Sequence, residues 1–272
     1  MFAKLLKQEF RATGKAMAVL CLSALGLGLA GGLSGGCLAA ANLAEQNKFI
    51  ETLCAMIAVF SGIFIAVCGV GTLVLMIARF YKSRFTDEGY LTFTLPVTTH
   101  QVLLSSLVSS VLNVLLGILA VAGGYLLMGL VSVSFVEGFW GTLWENLPEF
   151  WQMLVKGLKE TWQARYLGYI LLTLYSLLAS AVSQLVSVML AVTIGAIIAK
   201  KHKILAAVGV YYGINLAVSI VGINSLVFGI MQNTHGVSFV SVMGPMAISA
   251  TLIALAGYFV TYYLVDRKLN LP

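Results

Sequence analysis

Long apolar runs alternate with short polar breaks along this chain. Six runs, at about 16–40, 50–78, 102–134, 166–199, 204–231 and 239–265, each exceed the roughly 20 residues a helix needs to cross a bilayer. Two further stretches are amphipathic with a helical period. In residues 1–14, Phe2, Leu5, Leu6 and Phe10 fall on one face, while Lys4, Lys7, Gln8 and Arg11 fall on the other. That pattern predicts a basic interfacial helix. Residues 137–165 hold all four tryptophans, Trp140, Trp144, Trp151 and Trp162, in register with Leu143, Leu147, Leu154, Val155 and Leu158. Glu145, Glu149, Lys156, Lys159 and Glu160 take the polar positions, and Pro148 interrupts the run. One or two amphipathic helices at an outer membrane interface are expected here, as a structural cap or as a lid over a translocation route.

The longest polar interruption on the side of the termini is 79–101. Arg79, Lys82 and Arg84 directly follow the second run, and Asp87, Glu88 and Gly89 come next. A short amphipathic piece then carries Tyr90, Leu91, Phe93 and Leu95 and is stopped by Pro96. Thr98 or Thr99 is placed to cap the run that starts near Val102. Residues 81–99 are thus expected to hold a short helix against the membrane, with a face offered to the cytosol. The three cations are expected to serve topology and lipid headgroups.

Composition raises this pattern to a class. The 272 residues are 60% hydrophobic and 10% charged, where a soluble domain carries about 25% charged residues. Mean hydropathy is +0.98. An all-α, multi-pass membrane protein with a single transmembrane domain follows. The net charge of +6 does not indicate nucleic acid, because the cations stand at the ends of apolar runs and no basic groove with interleaved aromatics is visible. Lys4, Lys7, Arg11, Lys15, Arg79, Lys82, Arg84, Lys200, Lys201, Lys203, Arg267 and Lys268 fall on the side of the termini. Lys48, Lys156, Lys159 and Arg165 fall on the other. This asymmetry predicts six spans with both termini cytoplasmic. The amphipathic leader and the length of the first run speak against a cleavable signal peptide.

Within the first span Gly28, Gly32 and Gly36 repeat at four, as do Gly31 and Gly35, and the second span carries Gly62, Gly69 and Gly71. Such spacing predicts close helix packing. Cys21, Cys37, Cys54 and Cys68 show no metal-ligand spacing and read as reduced, small side chains.

Candidate chemistry is sparse. The nearest approach to a nucleotide-binding loop, Thr13-Gly14-Lys15-Ala16, lacks the upstream glycine and the hydroxyl after lysine. His100, His202 and His235 have no partner at ligand spacing, so no metal site and no catalytic residues are expected. The spans lack Asp, Glu and His apart from Glu51 at an edge, which weighs against ion coupling. Asn113, Gln184, Asn215 and Asn224 remain as polar groups that could line a substrate route or bond between helices. An ion-driven or passive carrier, or a scaffold or sensor that transports nothing, stays open as an alternative to a transporter powered from outside.

At Asp87-Glu88-Gly89-Tyr90-Leu91-Thr92-Phe93-Thr94-Leu95-Pro96-Val97-Thr98 the chain resembles type-2 ABC transporter permeases. These carry an acidic-Gly-x-Leu stretch running into Leu-Pro-Val/Ile-Ser/Thr between their second and third spans. The plan of amphipathic leader, six spans and a tail like Asp266-Arg267-Lys268-Leu269-Asn270-Leu271 is similar too. Glu88 and Gly89 match the family's acidic-Gly pair, while Tyr90 stands where many members have threonine. The resemblance implies that Asp87, Glu88, Gly89, Tyr90, Leu91, Phe93 and Leu95 form a coupling helix that enters a cleft of a separate ATPase subunit. It further implies two permeases, alike or different, with two ATPases that bind ATP and Mg. Substrate would move between the first, second and fifth spans. An outer amphipathic segment between the third and fourth spans departs from many members, which place their bulky outer element between the fifth and sixth. The expected activity is export of an amphipathic or hydrophobic substrate across the cell membrane.

Overall fold

The computed structural model of the chain describes residues 2–40, 48–86, 98–161, 164–198, 203–231 and 239–268. Seven α-helices account for nearly all of them: α1 (Phe2–Ala39), α2 (Lys48–Phe85), α3 (Thr99–Ser134), α4 (Phe139–Thr161), α5 (Ala164–Ile198), α6 (Lys203–Met231) and α7 (Phe239–Lys268). All except α4 are long and apolar enough to cross a membrane. The protein is an all-α membrane protein; the expected spans at 50–78, 102–134, 204–231 and 239–265 each lie within one helix, while those at 16–40 and 166–199 run one residue past the ends of α1 and α5. The helices outrun the spans. At about 1.5 Å per residue the 38 residues of α2 extend about 57 Å, nearly twice a hydrocarbon core of about 30 Å. Residues 2–14 are helical as expected, but they continue into the first span without a break. Gly14 costs a helix only about 1 kcal/mol, too little to end it.

The helices gather into two compact units, and α1, α2 and α3 each contribute to both. The first unit comprises Phe10–Met76 and Leu112–Gly157. Its seam is made by glycine. A Cβ on Gly28 of α1 would collide with the carbonyl of Gly124 on α3, and one on Gly124 would sit 2.7 Å from the Ala24 carbonyl oxygen. In lipid, where apolar burial gives helices little reason to associate, such close approach supplies the packing. In the second glycine group a Cβ on Gly69 would meet Val121 of α3 at 3.3 Å and one on Gly71 would meet Leu20 of α1 at 3.2 Å, as close packing requires, while open space surrounds Gly62, whose carbonyl accepts from the Tyr125 hydroxyl at 2.8 Å.

The connection from α3 to α4 turns at Gly138, whose φ of 77° suits a residue without Cβ. The α4 amide ladder begins at once, Thr142 N donating to the Gly138 carbonyl at 2.9 Å. A single helix then runs through Pro148, which deprives the Trp144 carbonyl of its usual donor without ending the helix. Trp140, Trp144 and Trp151 of α4 are exposed by 56%, 67% and 65%, so the described residues leave these three rings uncovered. Trp162 lies outside the described residues.

The second unit comprises Met1–Glu9, Ile77–Val111 and Leu158–Pro272. Its axis is α5, which packs on both α6 and α7. Gly195 of α5 lies against the Ala207 backbone of α6, and Gly257 of α7 lies against Val186 of α5. Thr193 and Thr261 are buried at these contacts, yet both are satisfied within their own helices, donating to the Met189 and Gly257 carbonyls at 2.8 and 2.7 Å. Back-bonding of this kind lets a hydroxyl sit at a dry interface without a partner across it.

Candidate functional site

The segment marked for ATPase contact, Asp87, Glu88, Gly89, Tyr90, Leu91, Phe93 and Leu95, lies outside the described residues. Its two flanks, the end of α2 and the start of α3, belong to the unit built on α5.

On the first flank, α2 continues seven residues past the expected span end at 78, so Arg79, Lys82 and Arg84 stand on the helix itself. Arg79 Nε donates to Glu9 Oε2 at 3.0 Å, and Arg84 Nη2 donates to Glu9 Oε1 at 3.3 Å. Arg84 Nη2 also donates to the Val102 carbonyl at 3.0 Å, which joins the two flanks directly. Arg84 is 2% exposed and Glu9 is 7% exposed. The expectation that these cations serve headgroups is therefore corrected for Arg79 and Arg84, which pair with Glu9. A charge placed away from solvent needs a counter-charge and hydrogen bonds, and Glu9 provides both for two guanidiniums. Lys82 is the exposed member of the three. The Arg84 Nε and Ser83 Oγ atoms are buried with no hydrogen-bond partner among the described residues.

On the second flank, Thr98 is the cap. Its Oγ1 accepts from Gln101 N at 3.3 Å and its carbonyl from Val102 N at 3.2 Å. Thr99 instead donates its hydroxyl to Asp266 Oδ1 of α7 at 3.0 Å. His100 adds a second tie to α7, with Nδ1 at 2.6 Å from the Tyr258 hydroxyl and the imidazole edge-on to the rings of Tyr258 and Tyr262. Below these polar contacts Phe80, Phe85 and Leu103 pack with Met189 and Val192 of α5 and Val265 of α7. Replacing Thr98 with alanine is expected to cost about 1 kcal/mol of stability in thermal unfolding of the purified chain. Thr98→Ser should restore it, and an unchanged midpoint for Thr98→Ala would show that the cap contributes nothing.

Both flanks are thus held to three helices: by ion pairs to α1, by hydrogen bonds to α7 and by apolar packing to α5. Among the described residues no group of three or more His, Cys, Asp or Glu is placed to hold a metal ion.

No family model, curated protein or solved structure matches the chain.

The four intramembrane amides have different surroundings. Asn113 is 1% exposed in α3 and donates to Thr13 Oγ1 of α1 at 3.4 Å, an interhelical bond. Asn215 and Asn224 donate to carbonyls of their own helix, Tyr211 at 3.0 Å and Ile220 at 2.8 Å. Nine residues apart, at about 100° per residue, they face opposite sides of α6. Gln184 of α5 lines a cavity.

Sequence reasoning passed over Glu9, Asp266 and Tyr258 as working residues. Glu9 did leave a signal. It is the sole acid before Glu45, and it continues the apolar stripe of Phe2, Leu5 and Leu6 by one helical step. An acid on the apolar face of a basic helix needs a buried cation. Asp266 and Tyr258 left none, because their partners Thr99 and His100 are more than 150 residues away in the chain.

Proposed function

We propose that the chain is the membrane subunit of an ATP-driven exporter of the type-2 ABC class. It works as a pair of permeases with two separate ATPase subunits in the cell membrane and moves an amphipathic or hydrophobic substrate outward. ATP and Mg are held by the ATPases. The segment from Asp87 to Leu95 enters the ATPase cleft on the cytoplasmic side, with Glu88 and Leu91 as its main contacts.

The observation that carries this reading is the anchoring of both flanks of that segment. Arg84 bridges Glu9 and the Val102 carbonyl, and Thr99 bonds Asp266, so α1 and α7 are fastened where the segment leaves and rejoins the helices. A displacement applied to a loose loop is dissipated within the loop. Applied between flanks held this way, it is delivered to α1, α5 and α7 together with α2 and α3. Two discrete packings of such a block are what a mechanical transporter needs.

The test is co-expression with a candidate ATPase. The wild-type chain should form a complex and stimulate ATP hydrolysis. Leu91→Asp should abolish both, and Glu88→Ala should weaken both by tenfold or more. Complexes and stimulated rates unchanged by either substitution would remove the coupling assignment.

A further inference from the structure

A cavity of about 290 Å³ opens between α5, α6 and α7, close to mid-length of α5 and α6. It lies wholly within the unit built on α5. Its wall is apolar apart from serine hydroxyls and one carboxamide. Three of the four lining hydroxyls are already engaged. Ser176 donates to the Thr173 carbonyl, Ser180 to the Leu177 carbonyl and Ser249 to the Met246 carbonyl, each at 2.9 Å. Ser249 also lies 3.4 Å from the Ser225 hydroxyl, so Ser176 and Ser180, each spent on its own helix as a donor, are the oxygens that keep lone pairs for a visitor. Gln184 supplies the carboxamide, which has no hydrogen-bond partner among the described residues and offers both donors and an acceptor. An unpaired amide at the level of a bilayer interior is costly unless something bonds it.

We infer that this cavity binds the uncharged head of an amphiphile bearing a hydrogen-bond donor, such as the free hydroxyl of a diacylglycerol, and that Gln184 recognises that head. Three features select this class. No charged side chain lines the cavity, and a charge at this depth would go uncompensated, so phosphate and ammonium heads are disfavoured. The lone pairs of Ser176 and Ser180 accept from a donor, which a fully esterified glyceride lacks. The volume is near the small end of ligand pockets, roughly 300 Å³ and upward, so a head group fits while its chains stay outside. Leu177 and Met246 at the rim are exposed by 61% and 39%, giving those chains an apolar path along the outer surface of the helices. Met243 and Met246, unbranched and adaptable, let the wall close on heads of different shape.

This binding needs no ATPase, so it is measured on the full chain alone and stands or falls apart from the transport reading. The purified protein in detergent is labelled with a diazirine-bearing diacylglycerol, and the labelled peptides are mapped. Label should concentrate in 173–187 and 243–253. Dioctanoylglycerol should compete at least tenfold better than trioctanoylglycerol, which lacks the hydroxyl, or dioctanoyl phosphatidic acid, which is charged. Gln184→Leu should lower labelling about tenfold. Gln184 is exposed on the protein, so this change leaves the fold intact, and Gln184→Asn should keep part of the labelling. Ala250→Phe, which fills the cavity, should abolish it. Equal competition by phosphatidic acid, label spread evenly over α1 to α3, or full labelling of Gln184→Leu would overturn the assignment. So would spontaneous disulfide dimers of Gln184→Cys formed in the absence of lipid, because a second copy of the chain would then cover the site.

Discussion

Arg84→Ala is expected to destabilise the chain by about 3–5 kcal/mol, the range for breaking a buried ion pair from one side. The guanidinium is 2% exposed and does two jobs at once, pairing with Glu9 and donating to the Val102 carbonyl. Removing it leaves Glu9 with Arg79 as its remaining guanidinium contact among the bonds described above, and takes from the Val102 carbonyl a donor that the Ser105 hydroxyl, at 2.9 Å, replaces only in part. Arg84→Lys should recover little, since a single ammonium does not reproduce a planar fork bonding two acceptors. Glu9→Gln should be nearly as costly, because it leaves two cations facing a neutral amide. The double variant Glu9→Leu/Arg84→Leu should be milder than either single charge deletion. Buried ion pairs exchanged for apolar side chains of similar volume are often neutral, and Arg79, with a side chain 20% exposed, can turn outward. Thermal unfolding of the four variants in detergent decides the matter. If Arg84→Ala melts within about 1 kcal/mol of wild type, the cluster is not holding the flanks.

The consequence for coupling follows from the same residues. Under the proposed coupling role, a weakened clamp should lower what a displacement of the flanks delivers to α1, α5 and α7. Glu9→Gln, a change in α1 and outside the segment in sequence, then separates transmission from docking. In the ATPase co-expression experiment it should preserve the complex yet reduce stimulated hydrolysis.

How much of this was legible beforehand differs by element. The spans were, because an apolar run of this length reports its solvent whatever its neighbours are. For Val102 to Ser134 the structure adds only three residues at one end. The extension of α2 to Phe85 was not, since a cation just past an apolar run reads the same whether it faces water or a buried acid. Position in helical register would have separated Arg84 from Lys82 only if the faces of α1 and α3 were known. Thr98 and Thr99 were equivalent caps by composition. They part because Asp266, 167 positions from Thr99, claims the second hydroxyl. The amides show the same limit. Nothing local distinguishes Asn113, bonded to Thr13 at a separation of 100 residues, from Gln184, which meets a cavity. In α4 the stripe of tryptophans was legible and its continuity through Pro148 was not, because an isolated lost hydrogen bond on a surface helix is tolerated when the flanking turns are intact.

Glycine spacing was read as close packing wherever it occurred, and the substitution that tests this should divide glycines by sign. Gly28→Ala is expected to destabilise by about 1–3 kcal/mol, the usual cost of overpacking, and Gly28→Leu by more. The new Cβ meets the Gly124 carbonyl, which is backbone and cannot rotate away. The two helices must move apart. With no hydrophobic drive holding them in lipid, each separated atom pair simply loses its dispersion contact, and a gap of 0.5–1 Å already forfeits about a quarter to a half of it. Gly124→Ala should act alike, since its Cβ would stand 2.7 Å from the Ala24 carbonyl oxygen. The double substitution should cost less than the sum, because the second methyl enters space that the first has opened. Gly129→Ala on the same helix α3 meets nothing within 4 Å and should stabilise by about 0.5–1 kcal/mol through the entropy that glycine loses on folding. Unfolding midpoints of these variants give the readout. Equal, small effects at Gly28 and Gly129 would mean that α1 and α3 do not meet at Gly28 and Gly124, and the first unit would then lack its seam.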